Sequence, residues 1–179
     1  MSNERELVSQ AIQNPSAFAE IYNHYLPLLY KYMRYRINSA DEAVELTSRV
    51  FELVFANLKD YNPGQAPFAA WVFAIAHNTL VDYLRICRRR QNVSLELVGE
   101  VACSNTSPVE TMIRNEDREK LVAALSSLNE RERNLIGLKF GAGLTNIAIS
   151  EITGLSRSNV AVVIYRAVKR LKAELANEG

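Results

Sequence analysis

The sequence has little cysteine and no long apolar run, and both absences narrow what the chain can be. Its 2 cysteines, Cys87 and Cys103, are too few and too poorly spaced for a metal site. No amino-terminal apolar stretch flanked by basic residues resembles a signal peptide, and no run approaches the roughly 20 apolar residues of a membrane-spanning helix. We therefore expect a cytoplasmic, reducing location, no membrane segment, no metal and no cofactor.

Alternating strand patterns of useful length are also absent, and the chain has only 7 glycines and 5 prolines. These features predict an all-α fold. The formal net charge is +1, from 21 basic and 20 acidic residues. A near-neutral total argues against a general nucleic-acid coat protein, but it leaves room for a local basic footprint that acidic surface balances elsewhere.

No catalytic constellation stands out. The histidines, His24 and His77, lie on different predicted helices, and the chain contains neither a glycine-rich phosphate loop nor an HExxH pattern. Asp82 has no nucleophile or metal cluster at helical spacing. We interpret it as a partner for Arg85, three residues later, or as an acceptor for a base amino group. We predict that the protein is not an enzyme.

What the sequence does contain is a helix over residues 68–91 with mixed chemistry on one face. At 100° per residue, one row is polar and aromatic while the opposite face is apolar and can be buried. At 1.5 Å per residue the row is about 27 Å long. Its members are Trp71, Ile75, Asn78, Asp82, Arg85 and Arg89.

A turn-rich loop, residues 59–67, leads directly into this helix and carries Tyr61 and Asn62. It is either a simple connection or a cradle for an extruded base, with stacking from an aromatic ring and hydrogen bonds from amides.

The preceding helix is predicted from Ser39, with Glu42 completing a capping box, to about Leu58. Its outer side is acidic and is edged by Phe51 and Phe55. Two interpretations remain open: a solvated surface with two core phenylalanines, or a docking face for a basic partner helix.

The chain divides into two predicted domains, residues 1–91 and 108–179, joined by a linker over 92–107. The linker contains no basic residue and many small or polar ones. Ser107 and Pro108 then restart a helix that reaches Leu128. Asn129 caps a further helix.

The last segment has the helix-turn-helix pattern: Thr145 caps a short helix to Thr153, a turn with Gly154 follows, and Ser156 caps the last helix. The amino end of such a second helix enters the major groove, where arginine and asparagine make bidentate contacts and a valine methyl can meet thymine. The alternative is an ordinary helical hairpin with a solvated basic face.

The whole sequence resembles RNA polymerase sigma factors of the extracytoplasmic-function type, which have only the second and fourth sigma regions. The match follows the family order through DEAVELTSRVFELVF, FAAWVFAIAHNTLVDYLRICRRR and GLTNIAISEITGLSRSNVAVVIYRAVKRLK. Its most specific pieces are W-x(3)-I-A-x-N-x(3)-D-x-L-R from Trp71 to Arg85 and L-N-E-R-E-R from Leu128 to Arg133.

The resemblance implies roles for three groups of residues. Those that match the segment which melts and reads the −10 promoter element are Tyr61, Asn62, Trp71, Asn78, Asp82, Arg85, Arg88 and Arg89. Those that match the reader of the −35 element are Thr145, Arg157, Ser158, Asn159, Val162, Arg166 and Lys169. Those that match the segment which docks on the clamp helices of the polymerase's largest subunit are Asp41, Glu42, Glu45, Leu46 and Phe51.

The chain departs from the family pattern in both domains. Ser48 and Arg49 replace a glutamine and an acid, which reverses one charge on the docking face. Residues 161–163 are apolar where a Lys-Ser-Arg-like triplet is common, so we expect fewer phosphate contacts and a shallower salt dependence. An exposed surface of Ile147 and Val162 would suit a protein partner such as an anti-sigma factor.

Three functions follow from these observations. The leading hypothesis is a sigma factor that binds core RNA polymerase and promoter DNA and opens the DNA at −10. The second is a stand-alone helix-turn-helix regulator, which would have no need for the docking face and the mixed row together. The third is a sigma-like adaptor that no longer reads DNA, which the missing basic triplet slightly favours.

Overall fold

A computed structural model describes residues 4–37, 39–94 and 124–177, and helices dominate all three ranges. The all-α prediction is confirmed, because no strand occurs within these ranges. Cys103, most of the predicted linker and the helix start at Pro108 lie outside the described residues.

Seven α-helices, one 3-10 turn and one π-helical turn can be bounded in the described part of the chain. They are α1 (Glu4–Gln13), α2 (Pro15–Arg34), α3 (Ala40–Ala56), a 3-10 turn (Leu58–Asp60), α4 (Phe68–Ser94), α5 (Glu130–Ile136), a π-helical turn (Gly137–Gly141), α6 (Asn146–Thr153) and α7 (Arg157–Asn177). α4 continues past the predicted boundary at residue 91, since residues 68–98 contain no glycine or proline to end it.

Local capping sets most of the helix starts. The Ser39 hydroxyl accepts a hydrogen bond from the Glu42 amide (3.3 Å), and the Thr145 hydroxyl accepts one from the Ala148 amide (3.2 Å). Such caps satisfy backbone donors that the first turn of a helix leaves unpaired.

The first domain packs α1 to α4 around a continuous apolar core. α2 packs on both α1 and α3, and α3 packs on α4. The largest side chains buried there are Ile21, Leu29, Tyr32, Met33, Val50, Phe68, Phe73 and Leu80. Each such side chain contributes about 1.5–3 kcal/mol relative to exposure, so the core holds the outward faces of α3 and α4 in a fixed relation.

The second domain packs α5, the π-helical turn and α6 against α7. Leu135, Ile149, Val160 and Ile164 are among its core residues. A bend of 107° separates α6 from α7, which is within the range of about 90–120° found in helix-turn-helix units.

The two domains also touch each other: the π-helical turn lies on α2, and α6 lies on α4. None of the described helices is by itself long and apolar enough to cross a membrane; α6 and α7 meet that length and composition test only as a sharply bent pair.

Candidate nucleic-acid and polymerase interfaces

The mixed row on α4 faces solvent over most of its length. Asn78, Asp82, Arg85 and Arg89 are all exposed. Arg85 Nη2 lies 2.8 Å from Asp82 Oδ1 across one turn of helix, as the spacing predicted. An exposed pair of this kind stabilises the fold little. The pair instead orients both groups, because each side chain limits the rotamers of the other.

Trp71, at the start of this row, is half-buried in a cluster of three rings. Its indole stacks on Phe68 with centroids 5.5 Å apart and an interplanar angle of 28°. Tyr61 lies 5.4 Å from Trp71 and 5.0 Å from Phe68, between ring centroids. Since Phe68 is only 1% exposed, the cluster rests on the core and presents Trp71 as a supported platform for stacking.

Hydrogen bonds within the loop before α4 shape it. The Tyr61 hydroxyl donates to the Ala66 carbonyl (3.0 Å), and the Asn62 side-chain oxygen accepts from the Gly64 amide (2.9 Å). The second contact is an Asx turn, a local structure that asparagine favours. It uses the Asn62 carbonyl oxygen, so the NH2 group is the part of this side chain suited to donate to a base.

Arg88 differs from the other residues predicted for the −10 element. Its guanidinium forms an ion pair with Glu130 of the second domain. Arg89, one residue later, is exposed. The structure therefore brings Arg88 to the contact between the domains and leaves Arg89 on the outer surface of α4.

The predicted docking residues on α3 separate into two groups. Asp41 and Glu45 are exposed, whereas Leu46 and Phe51 are only 8% and 5% exposed. Phe51 packs against Tyr22, with ring centroids 4.4 Å apart. Leu46 and Phe51 therefore support the face from below, while the carboxylates form its surface.

Sequence reasoning placed Phe55 at the edge of this face but missed Val44. Val44 and Phe55 are 54% and 53% exposed. They are three helical turns apart on the same side of α3, which helical periodicity could have shown. Phe55 is supported by Phe18, whose ring lies edge-on at 5.0 Å between centroids. Two exposed apolar side chains, Val44 and Phe55, therefore lie near the two ends of the outer face of α3, with acids beside them.

The reversed charge on this face has a local partner. Arg49 Nη1 lies 2.8 Å from Glu52 Oε2, and both side chains are well exposed. Arg49 and Glu52 thus offset each other's charge, and the remaining acidity comes from the first half of the helix.

Glu42 is tied to α4 rather than standing free on the face. Burial, together with hydrogen bonds to Cys87 and Glu42, raises the pKa of Tyr83. Cys87 is a half-buried free thiol. Glu42 and Tyr83 thus lie close together where α3 packs on α4, the helices that carry the two predicted interfaces of the first domain.

The turn between α6 and α7 is built from short polar contacts. Gly154 has a φ of 70°, a backbone conformation that glycine adopts without steric cost. The Ser150 hydroxyl donates to the Leu155 carbonyl (2.6 Å), and the Ser156 hydroxyl accepts from the Asn159 amide (3.3 Å). The amino end of α7 is thereby capped and exposed, as the sequence predicted.

The outer face of α7 holds the residues predicted for the −35 element. Arg157, Ser158, Arg166 and Lys169 are exposed, and Asn159 is half-buried. Thr145 lies apart from them, since it caps α6. Tyr165 of α7 is not among the predicted site residues, although at 70% it is the most exposed of the large apolar residues described.

An apolar surface lies beside these polar groups. Val162 is 45% exposed, and Ile147 of α6 is 47% exposed. The expectation that these side chains lie on the surface is confirmed by their exposure. Few positive charges therefore surround the middle of α7.

Comparisons with known proteins place both domains. Residues 21–90 match the family model Sigma-70 region 2, and residues 124–173 match Sigma-70, region 4. The ECF RNA polymerase sigma factor ShbA of Streptomyces griseus subsp. griseus is 30% identical, over 93% of this chain and 92% of ShbA.

Two further comparisons agree. The ECF RNA polymerase sigma factor BldN of Streptomyces coelicolor is 27% identical over 97% of this chain, which spans only 66% of the length of BldN. The fold is similar to that of the sigma factor RpoE of Bartonella quintana, solved in complex with the anti-sigma factor NepR: the TM-score is 0.72 at 20% identity, over 89% of this chain and 96% of RpoE.

Proposed function

The chain belongs to the extracytoplasmic-function group of sigma-70 RNA polymerase sigma factors, and on that premise we propose how its surfaces share the work of promoter-directed initiation. A factor of this family binds core RNA polymerase and directs it to promoter DNA. The observation that supports these separate roles is the presence of three exposed helical faces of different chemistry, on α3 and α4 in the first domain and on α7 in the second.

The first proposed role belongs to the α4 row and the loop before it, which melt and read the −10 element. An aromatic platform and an amide suit bases that have left the stack, because stacking is worth about 1–3 kcal/mol per base and amides can bond base edges. Asn78, Asp82 and Arg85 would contact the bases beyond Trp71, and Arg88 and Arg89 the phosphates.

The second proposed role belongs to α7, which reads the −35 element in the major groove. Arg157 and Asn159 lie at its amino end, where side chains reach base edges in helix-turn-helix units. Val162 would meet a thymine methyl, while Arg166 and Lys169 would contact phosphate. The middle of α7 is thus better suited to apolar contact with bases than to ionic contact with the DNA phosphates.

The third proposed role belongs to α3, which docks on the clamp helices of core polymerase. Asp41 and Glu45 supply charge for a basic partner helix, and Val44 and Phe55 supply the apolar contact at its centre. Interfaces gain most of their free energy from a few apolar or aromatic anchors, with charge adding rate and specificity.

Two further proposals concern the cellular location of the factor and its inhibition. The factor works in the cytoplasm and performs no catalysis of its own, since the nucleotidyl transfer belongs to the polymerase. An anti-sigma factor is the third proposed partner, and the exposed Ile147 and Val162 on the second domain are the surface that we assign to it.

Transcription from a supercoiled genomic library with purified core polymerase tests the function. Discrete start sites that require the factor are expected. Core binding without start sites would support the sigma-like adaptor, which the apolar residues 161–163 favour. Duplex binding without core binding would support the stand-alone regulator.

A further inference from the structure

The string Leu128–Asn134 lies at the contact between the two domains, and half of its polar groups organise the second domain. Asn129 and Glu132 form a reciprocal capping box, with bonds of 2.9 and 3.1 Å. Glu132, only 7% exposed, also accepts from Arg170 Nη1 of α7 at 2.7 Å. Arg133 donates to the carbonyls of Ser126 and Leu128.

Two of the remaining three polar residues of the string, Glu130 and Asn134, face the first domain. The Tyr32 hydroxyl donates to Asn134 Oδ1 at 2.9 Å, and these residues are 0% and 9% exposed. Arg36 donates to the backbone carbonyl of Glu130, and Arg88 pairs with the Glu130 carboxylate. Tyr32 of α2, Arg36 just beyond the end of α2 and Arg88 of α4 therefore bind one turn of α5.

A histidine completes this polar contact. His77 Nδ1 lies 3.3 Å from the Tyr32 hydroxyl. Because the only proton of that hydroxyl is donated to Asn134, the contact requires His77 to carry its proton on Nδ1 and to donate it. Burial and the nearby Arg36 lower the pKa of His77, so the neutral ring is favoured in this arrangement.

Two glycines of the π-helical turn allow the close approach of the domains. A Cβ on Gly137 would lie 3.1 Å from Tyr32 Cδ2, and a Cβ on Gly141 would lie 3.2 Å from Tyr32 Cα. Carbon atoms in good contact are about 3.5–4.0 Å apart. The second contact is with backbone, which cannot rotate away, so a side chain at Gly141 would require the two domains to shift apart by a few tenths of an ångström.

A closed arrangement of this kind cannot engage both promoter elements. Elements about 25 base pairs apart are separated by roughly 85 Å along B-DNA at 3.4 Å per base pair. A compact chain of this length has a radius of gyration of only about 16 Å. The domains must therefore part before α4 and α7 can both reach their proposed sites, and Arg88 must leave Glu130 before it can bind phosphate.

We propose that Tyr32, His77, Arg88, Glu130 and Asn134 form an interdomain lock that holds the free factor closed and limits its availability to polymerase and promoter. The inference that the free factor is closed depends on geometry alone. Only the inference that closure competes with binding of polymerase and promoter rests on the proposed function. If the open state alone binds core polymerase productively, the apparent dissociation constant is the intrinsic one divided by the open fraction.

The lock leaves most of the proposed binding residues exposed. Asp41 and Glu45 on α3, Asn78 on α4 and Arg166 on α7 are all exposed in the closed arrangement. The lock therefore acts mainly on the distance between the domains. Among the residues proposed to bind DNA, Arg88 is the one that the lock occupies directly.

The experiment measures the distance between the domains in the full chain. Cys87 and Cys103 are replaced by serine, and spin labels are attached at the exposed positions 20 and 172 through Glu20→Cys and Lys172→Cys. Pulsed electron paramagnetic resonance then gives the distance distribution. For the chain with the lock intact, we expect one narrow population at short distance. A broad distribution at long distance in that same chain would overturn the proposal.

Tyr32→Phe removes only the hydroxyl and leaves Asn134 without its partner in the closed state. We expect the open-to-closed ratio to rise on the order of tenfold. Tyr30→Phe is the matched control, because it makes the same change on the same helix at a half-buried position outside the lock. Gly141→Ala should open the domains by a steric route. Equal distance distributions in Tyr32→Phe and Tyr30→Phe would overturn the lock.

Core polymerase binding then separates the lock from the proposed function. The fold-gain in core affinity of Tyr32→Phe should match the fold-gain in open fraction. If an opened variant bound core polymerase with unchanged affinity, the proposed competition between closure and polymerase binding would be wrong, although the lock itself would stand. Failure of both the unaltered chain and the opened Tyr32→Phe variant to bind core polymerase would instead count against the proposed function, while the lock would stand, because the distance measurement needs neither polymerase nor DNA.

Discussion

The exposed row on α4 is supported partly from outside its own helix, at Trp71, whereas the exposed face of α7 is held mainly by its own first turn. Trp71 stacks on a buried ring and is flanked by the loop residue Tyr61. The amino end of α7 has only the Ser156 cap and the turn at Gly154. The first arrangement presents rigid groups that suit single bases, and the second presents one helix that a duplex groove can accept.

The largest expected effect concerns Trp71, the aromatic group of the exposed row on α4. Trp71→Ala removes the stacking platform and should lower the rate of promoter opening by about 10- to 100-fold, on the basis of 1–3 kcal/mol per stacked base. Asn78→Ala should lower it less. Fluorescence of 2-aminopurine placed in the −10 element measures opening.

Core binding is the control for both variants, because Trp71 and Asn78 lie on a different helix from the proposed docking face. Val81→Ala is a matched substitution at an exposed apolar position of α4 outside the row. Loss of core binding in well-folded Trp71→Ala and Asn78→Ala would refute the assignment of the faces.

The next effect concerns the apolar anchors on α3, which face away from the row. Phe55→Ala should weaken core polymerase binding by about tenfold or more, since aromatic anchors carry a large share of interface free energy. The binding of a single-stranded −10 oligonucleotide by the pre-formed holoenzyme should be unchanged. Fluorescence anisotropy measures both. An effect equal to that of Ile86→Ala, an exposed apolar residue on α4, would show that Phe55 is not an anchor.

A smaller effect concerns acid, which should act at the contact between the domains. His77 faces Tyr32 of α2, Arg36 just beyond the end of α2, and Asn134 of α5; Arg88 and Arg133 lie near Arg36. The pKa of His77 is lowered in the closed state, so below about 6.5 the open state takes up the proton more readily. Acidification through this range should therefore increase the open fraction.

The distance measurement described above, repeated from pH 8 to pH 5, checks this expectation. His77→Gln should flatten the dependence, while His24→Gln, at an exposed histidine, should leave it intact. Opening that increases toward higher pH would contradict the assigned sign.

The smallest expected effect tests the exposed face of α7. Val162→Lys adds one positive charge to the outer face of α7, so it should steepen the dependence of log affinity on log salt by about one for a −35 duplex. Titration at several salt concentrations measures the slope. An unchanged slope would show that the middle of α7 does not approach phosphate, and Lys172→Ala, farther along the helix, is the comparison variant.

Prediction from sequence succeeded where the signal is local. Thr145, Gly154 and Ser156 each act within a few residues of themselves, so the helix-turn-helix followed from caps and one turn. The Asp82–Arg85 pair is likewise one helical turn long. Periodicity also separated the buried face of α4 from the exposed one.

It succeeded less well where a side chain's surroundings come from other helices. Phe51 was predicted at the docking surface, but Tyr22 and Phe18 of α2 cover its side of α3. Val44 escaped attention because a valine on a polar face gives no signal by itself. The assignment of individual residues to polymerase or DNA stays a prediction.

The amino-acid sequence by itself determined the helices, the outward chemistry of α4 and α7 and the family. Only the tertiary structure decided that the domains close on each other. Tyr32 and Asn134 are separated by 102 positions, and neither residue carries a pattern that points to the other. Their contact depends on two glycines that let backbones approach and on a buried hydrogen bond that becomes favourable only once water has left.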